Sequence, residues 1–192
     1  MRIFKLYRKN EFKDELYPHQ LELFNVLNDD SYNNIIIQQD RRVGITYLLS
    51  YYVKYLIQNN INLKILFVLP NIQQYKTIKN LINNGNILQE RYYNIMYFNG
   101  SRVNFCTENN FLSVVHSKLF DVIIFDNIDS FNDYSIDRIT NTIPYHINAN
   151  RMNSKMIITC NTLPNNFLIN TIIKESNDNN SNCYYSYIET SL

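Results

Sequence analysis

The chain has 192 residues, 18 Lys+Arg against 17 Asp+Glu, and a formal net charge of +1. That length fits one domain, the 45% hydrophobic and 14% aromatic fractions supply a full core, and the balanced charge excludes a polybasic nucleic-acid coat and an acidic tail. Three glycines and four prolines exclude collagen-like repeats and Gly-rich linkers, and Cys106, Cys160 and Cys183, an odd number with no CxxC pair, point to a reduced compartment without structural zinc.

The first predicted helix is LYPHQLELFNVLND, with Leu16, Leu23, Phe24 and Leu27 as its apolar stripe and Pro18 near its first turn. NNIIIQQ (Asn33–Gln39) reads as a short buried strand. It runs through DRRVGIT into a long helix, TYLLSYYVKYLIQNN. KILFVLPN (Lys64–Asn71) is a second buried strand ended by Pro and Asn, and IQQYKTIKNLINNG is a helix stopped by Gly85. NIMYFNGSRVNFCTE alternates around Asn99-Gly100, a hairpin dipeptide. KLFDVIIFDN (Lys118–Asn127) is the strongest buried strand, SFNDYSIDRITNTIPYHINAN carries a helix, and SKMIITCNT (Ser154–Thr162) is a further buried strand. The tail gives a short helix, a polar loop (Glu175–Asn182) and a last strand. Apolar strands separated by helix-length segments predict an α/β sheet, mostly parallel, with helices on both faces. Residues 1–192 read as a single domain. About one residue in six is Asn, interleaved with Ile, Leu, Tyr and Phe at structural periods, which is a compositional bias rather than a prion-like tract. No apolar run is long enough to span a bilayer, and the N-terminus has no apolar signal region, so no membrane is expected and the cytoplasm is.

Gln38–Leu49 (QQDRRVGITYLL) joins a strand to a helix N-terminus, where exposed N–H groups and the helix dipole favour phosphate. Against the pattern GxxxxGK[ST], Gly44 and Thr46 are in place, Gln39 stands at the first Gly and Ile45 at the Lys. The ordinary alternative for a lone Gly-x-Thr is a helix start. Val122–Phe125 ends at Asp126, as a strand does when it presents a carboxylate to Mg²⁺ beside the hydroxyl of Thr46. The alternative there is an Asp capping the loop after a buried strand.

Taken in order, these segments resemble the ATPase domain of the large terminase subunit, the DNA-packaging motor of tailed bacteriophages, in its T4-like form. LYPHQLELF, with Tyr17, Pro18 and Gln20, resembles the adenine-side signature. DRRVGIT places Asp40, Arg41, Arg42, Gly44, Ile45 and Thr46 on the deviant Walker A. Asp126-Asn127 falls on the Asp-Glu that ends Walker B. ITCNTLPNN places Thr159, Cys160, Asn161 and Thr162 on the coupling motif. The resemblance covers about residues 15–192 and implies a RecA-like P-loop NTPase fold. It implies Thr46 and Asp126 on the Mg²⁺ side and Arg41, Arg42 and the Gly44 backbone toward ATP phosphates. Gln20 would lie at adenine, with Arg41, Asp126 and Asn127 as the catalytic set and residues 159–162 coupling site to movement. Implied partners are double-stranded DNA, portal or other motor subunits, a separately encoded nuclease subunit and copies of the chain itself, in the host cell cytoplasm during viral assembly. No C-terminal nuclease domain is expected in the chain.

Two departures weigh on activity. Ile45 replaces the lysine that offsets developing phosphate charge, and Asn127 replaces the glutamate that would deprotonate water, which an amide cannot do. The arginine expected before Walker B is not evident in SVVHSKLF, where His116 or Lys118 would have to stand in. Arg41 and Arg42 are the residues able to replace the lysine, since guanidinium forks grip phosphate; the alternative is pairing with Asp40 or another carboxylate. The expected function is therefore a packaging ATPase domain impaired in hydrolysis. The alternative is a pseudo-ATPase serving as a structural or regulatory subunit, and a helicase-like remodeller ranks third. Arg2, Lys5, Arg8 and Lys9, and Lys76 with Lys79, read as solvated faces rather than phosphate tracks.

Overall fold

In the computed structural model, residues 16–40, 43–83, 85–147, 154–178 and 181–188 are described. They form one eight-stranded sheet. Its strands are β1 (Asn34–Gln39), β2 (Lys64–Leu69), β3 (Ile87–Arg91), β4 (Asn94–Tyr97), β5 (Arg102–Thr107), β6 (Val122–Phe125), β7 (Lys155–Cys160) and β8 (Cys183–Ile188). Their spatial order is β3-β4-β5-β2-β6-β7-β1-β8. From β5 to β8 every pairing is parallel; β3 and β4 extend the β5 edge as an antiparallel meander. The helices are α1 (Pro18–Asn28), α2 (Ile45–Asn59), α3 (Tyr75–Ile82), α4 (Phe111–Val115), α5 (Asp133–Thr142) and α6 (Phe167–Glu175).

Strand alternation splits the core into two layers. Ile35, Ile37, Ile65, Phe67, Leu69, Val122, Ile124 and Ile157 pack with residues of α1, α2 and α3 on one face. Ile36, Leu66, Val68, Ile123, Phe125, Met156 and Ile158 pack with residues of α4, α5 and α6 on the other. This is why the central strands read as unbroken apolar runs: both faces are covered. The predicted parallel sheet with helices on both faces is what the chain builds. Phe24 of α1 meets the rings of Tyr51, Tyr52 and Tyr55 edge-on and ties α1 to α2.

Two elements differ from the sequence reading. β3 was not expected, because ILQER has no apolar alternation; it is an exposed edge strand held by backbone pairing to β4. The β4–β5 hairpin is antiparallel with Asn99-Gly100 in its loop, as expected, and Gly100 takes φ +82 there. The strand around Val122 is four residues long, shorter than the apolar run Lys118–Asn127 implied. No helix among the described residues is long and apolar enough to cross a membrane.

Candidate functional site

The C-terminal ends of β1, β6 and β7 lie side by side, and the register sets what meets there. Phe125 is opposite Ile158, and Ile37 opposite Thr159, so Asp126 at the end of β6 adjoins Thr159 on β7. The next residues of β1 lead into the loop before α2. Open parallel sheets bind ligands in this position, beyond the carboxyl ends of the strands.

Asp126 is the centre of the site and is 0% exposed. Thr46, in the first turn of α2, donates its hydroxyl to Asp126 Oδ2 at 2.9 Å, and Thr159 donates to Oδ1 at 3.1 Å. Thr159 Oγ1 also accepts the backbone N–H of Asn127 at 2.9 Å. Among the described residues no ion pair reaches Asp126. Burial therefore raises its carboxyl above the usual carboxylate range, and the two threonine hydroxyls pull against that rise without cancelling it. The Thr46–Asp126 pair is a set of hard oxygens at the spacing of neighbouring ligands, the donor type Mg²⁺ selects. Among the described residues no cluster of three or more His, Cys, Asp or Glu side chains forms a metal site, so further ligands to such an ion would be water or phosphate oxygens.

The loop before α2 is held from beneath. Gly44 caps the helix in the left-handed region (φ +78, ψ 25), and no acidic residue sits in the first turn to compete for its amides. Gln20 of α1 is 2% exposed. Its amide nitrogen donates to the carbonyls of Val43 (3.4 Å) and Gly44 (3.2 Å), and its Oε1 accepts from the Tyr17 N–H at 3.1 Å. The space a Gly44 side chain would need is taken: a Cβ there would lie 2.6 Å from Gln20 Nε2. Gln20 thus braces the loop. His19 Nε2 also meets the Val43 carbonyl, at 3.1 Å. Tyr187 OH donates to Asp40 Oδ1 at 3.1 Å. Arg41 and Arg42 lie outside the described residues, as do Arg2, Lys5, Arg8 and Lys9.

Ile45, grouped by sequence with the phosphate-side residues, has its side chain in the apolar core, 1% exposed. Asn127 follows Asp126 in the left-handed region (φ 52, ψ 59), which Asn tolerates better than most residues. Its carbonyl accepts from Ser130 N and Oγ, closing a turn. His116 and Lys118 precede β6 and so lie at the opposite end of that strand from Asp126. Lys79 is paired with Glu90 at 2.6 Å.

Sequence reasoning passed over Asp129. It accepts from Asn161 N (3.0 Å), Asn161 Nδ2 (3.3 Å) and both the N–H and hydroxyl of Thr162 (3.4 Å each), clamping the loop after β7 to the turn after β6. The sequence offers only an Asp three residues past Asp126 and polar residues after the next strand, which does not pair the two. Gln38 was also missed. It donates to the Asn161 carbonyl at 3.3 Å and accepts from Tyr185 OH at 2.7 Å, joining β1, β8 and the same loop. Cys160 is buried between them, and burial pushes its thiol up to about 12. Gln39, where the first glycine of a P-loop stands, is buried with its Oε1 unbonded among the described residues.

No family model and no curated protein matches the sequence. Solved structures do. The chain has the RecA-like P-loop NTPase fold. It is similar to the large terminase ATPase domain of Thermus phage P74-26, with a TM-score of 0.65 at 11% identity over 94% of this chain and 84% of that one. It is also similar to the large terminase of a thermophilic bacteriophage, solved in complex with ATP-gamma-S, at TM-score 0.61 and 12% identity over 90% of this chain and 44% of that one. A DEAD box protein from the hyperthermophile Methanococcus jannaschii matches with TM-score 0.61 and 17% identity over 90% of this chain and 49% of that one. The chain thus spans less than half of the latter two. The terminase ATPase domain is among its fold relatives, as the ordered motifs implied, and the DEAD box protein stands beside it.

Proposed function

We propose that this chain is a nucleotide-binding ATPase domain of the packaging-motor type, acting in viral DNA packaging with impaired hydrolysis of its own. The observation that carries the reading is the buried Asp126 hydrogen-bonded by Thr46 and Thr159 beside the N-terminus of α2. Bound Mg²⁺ with ATP would supply positive charge at Asp126 and a phosphate chain for the α2 amides. The residues present fit that pair: Thr46 and Asp126 would hold the ion, and the exposed backbone of Gly44 opens the helix whose first amides would face phosphate. Gln20 and Tyr17 position that backbone from below. Thr159 holds Asp126 and the Asn127 amide together, while Asp129 ties residues 161–162 to the same turn. A change at the nucleotide would in this way be felt in the loop after β7.

The same geometry supports the impaired reading. Ile45 is a core residue with no donor, and Asn127 brings an amide where a base is needed. The second reading, a pseudo-ATPase that binds nucleotide or a partner as a structural subunit, is favoured by that same pair. Double-stranded DNA, portal-type subunits and self-association remain part of the proposal through the terminase likeness.

Calorimetric titration of Mg-ATP into wild type, Thr46→Ala and Asp126→Ala tests the nucleotide site, and phosphate release with and without DNA tests turnover. Binding by wild type that weakens tenfold or more in both variants supports it. Affinity no tighter than millimolar, unchanged in the variants, removes the nucleotide reading. Binding without turnover selects the pseudo-ATPase, and DNA-stimulated turnover lost in Asp126→Ala selects the motor.

A further inference from the structure

The β3–β4 hairpin turns through two residues, Tyr92 and Tyr93, flanked by the paired Arg91 and Asn94. Both tyrosines have positive φ, 41 and 60. Two-residue turns of this kind favour Asn-Gly, because a side chain in the left-handed region is strained. Here the chain places two large rings where glycine would be easiest. The two rings differ. Tyr93 is held, its ring edge-on to Tyr75 at 5.0 Å, and Tyr75 OH in turn donates to Glu90. Tyr92 is 95% exposed. Strain kept at a position that packs against nothing points to function.

The sheet face beside this turn is built to match. Register puts Arg91, Asn94 and Asn104 in one row across β3, β4 and β5, and Met96 and Arg102 in the next row. Val103 and Ile95, between these rows, face the opposite core layer. A shallow cleft of about 290 Å³ lies here, with Lys118 and Val114 on its far wall and no carboxylate in its lining. Among the described residues Arg91, Arg102 and Lys118 enter no ion pair. The one carboxylate of β3, Glu90, points the other way, to Lys79 and Tyr75. A protruding aromatic ring, amides in register and three uncompensated cations make a surface for nucleobases and phosphates. Stacked bases inside a duplex offer no ring face to Tyr92, whereas a single strand does.

We propose that the β3–β4–β5 face binds single-stranded nucleic acid, with Tyr92 stacking a base, Arg91, Arg102 and Lys118 taking phosphates, and Asn94 and Asn104 meeting base edges. The face lies on the β5 side of the sheet, with β2 between it and the strand that carries Asp126, and it needs no nucleotide at that site.

The test uses the full chain, a labelled oligo-dT and a duplex of equal length, read by fluorescence anisotropy. Tyr92→Gly removes the ring and relieves the backbone, so its melting temperature should stay or rise while oligo-dT binding weakens about tenfold. Arg91→Gln with Arg102→Gln should weaken binding and flatten the salt dependence. Three phosphate contacts on a single strand give a slope of log K against log salt near about −2 in wild type. A folded Tyr92→Gly that binds oligo-dT like wild type overturns the proposal, as does duplex binding tighter than single-strand binding. Absence of any oligonucleotide binding at low salt also overturns it and leaves the face to a protein partner.

Discussion

Asp126→Asn should make the metal-free protein more stable. The carboxylate is fully buried, and among the described residues its partners are the two threonine hydroxyls. Asn can keep both: its oxygen accepts from Thr159, and its amide donates to Thr46, whose hydroxyl turns to accept. What is lost is one buried negative charge without a cation among the described residues. Relief of such a charge is worth about 1–2 kcal/mol, which for a chain of this size raises Tm by about 2–8 °C. The pH dependence fixes the sign. Burial holds the folded-state pKa of Asp126 above its unfolded value of 3.8, so the folded protein keeps a proton the unfolded chain has released. Wild type is thus favoured in acid and loses that stability as pH rises from the unfolded pKa through the folded one. Asp126→Asn has no such term, and its advantage should grow from about pH 4 toward neutrality. Urea melts of both proteins across this range, in chelator, measure it. Adding Mg-ATP should reverse the order, stabilising wild type by about 2.7 kcal/mol at a hundredfold excess over Kd and the variant far less. If Asp126→Asn is the less stable protein in chelator at neutral pH, a cation pairs with the carboxylate, Arg41 and Arg42 being the candidates, and the reasoning from an uncompensated charge is wrong.

Gly44→Ala should cost about 1–2 kcal/mol, since it forces a side chain into φ +78 and against Gln20, and in a Gln20→Ala background the clash part should disappear while the φ part remains; denaturation of the four-member cycle separates them. Thr159→Val should destabilise by about 1–3 kcal/mol by stranding the Asn127 N–H and removing one hydrogen bond from Asp126, whereas Thr159→Ser should lose much less in the same melts. Asn127→Gly should melt at or above wild type because φ 52 suits glycine, and Asn127→Glu should lose about 1 kcal/mol, so any gain of hydrolysis in that variant has to be read beside its Tm.

The central fold was legible because its strands are covered on both faces. NIIIQQ, KILFVL, VIIF and KMIITC carry their identity in short apolar runs rich in Ile and Val. β3 was illegible for the converse reason. Its side chains are mostly exposed, its one partner is the four-residue β4, and the Tyr92-Tyr93 turn carries the opposite of the usual turn chemistry. Within the site, Thr46, Asp126 and Thr159 were legible because strand ends and the helix start fix them relative to one another. Gln20 was singled out, but its hydrogen bonds face the loop carbonyls, a three-dimensional fact that spacing does not encode. Asp129 was illegible as a clamp because its partners lie more than thirty residues away on another strand's loop.

The two residues that, on the proposed reading, weigh against hydrolysis are locally comfortable. Ile45 adds to the core contacts of α2, and Asn127 occupies a left-handed position that would strain a glutamate. Each contributes stability where a catalytic residue would have drawn on it. Asp126 does the reverse: it is buried, charged at neutral pH only at a cost, and would be cheaper to the fold as Asn. A chain shaped for stability alone would relax all three positions, and this one relaxes two. The carboxylate that remains is the group whose cost a bound divalent ion would turn into a gain, while lysine and glutamate act on the chemistry that follows binding. On the proposed reading, holding a nucleotide and hydrolysing it are therefore separate, and the residues kept are those for the first.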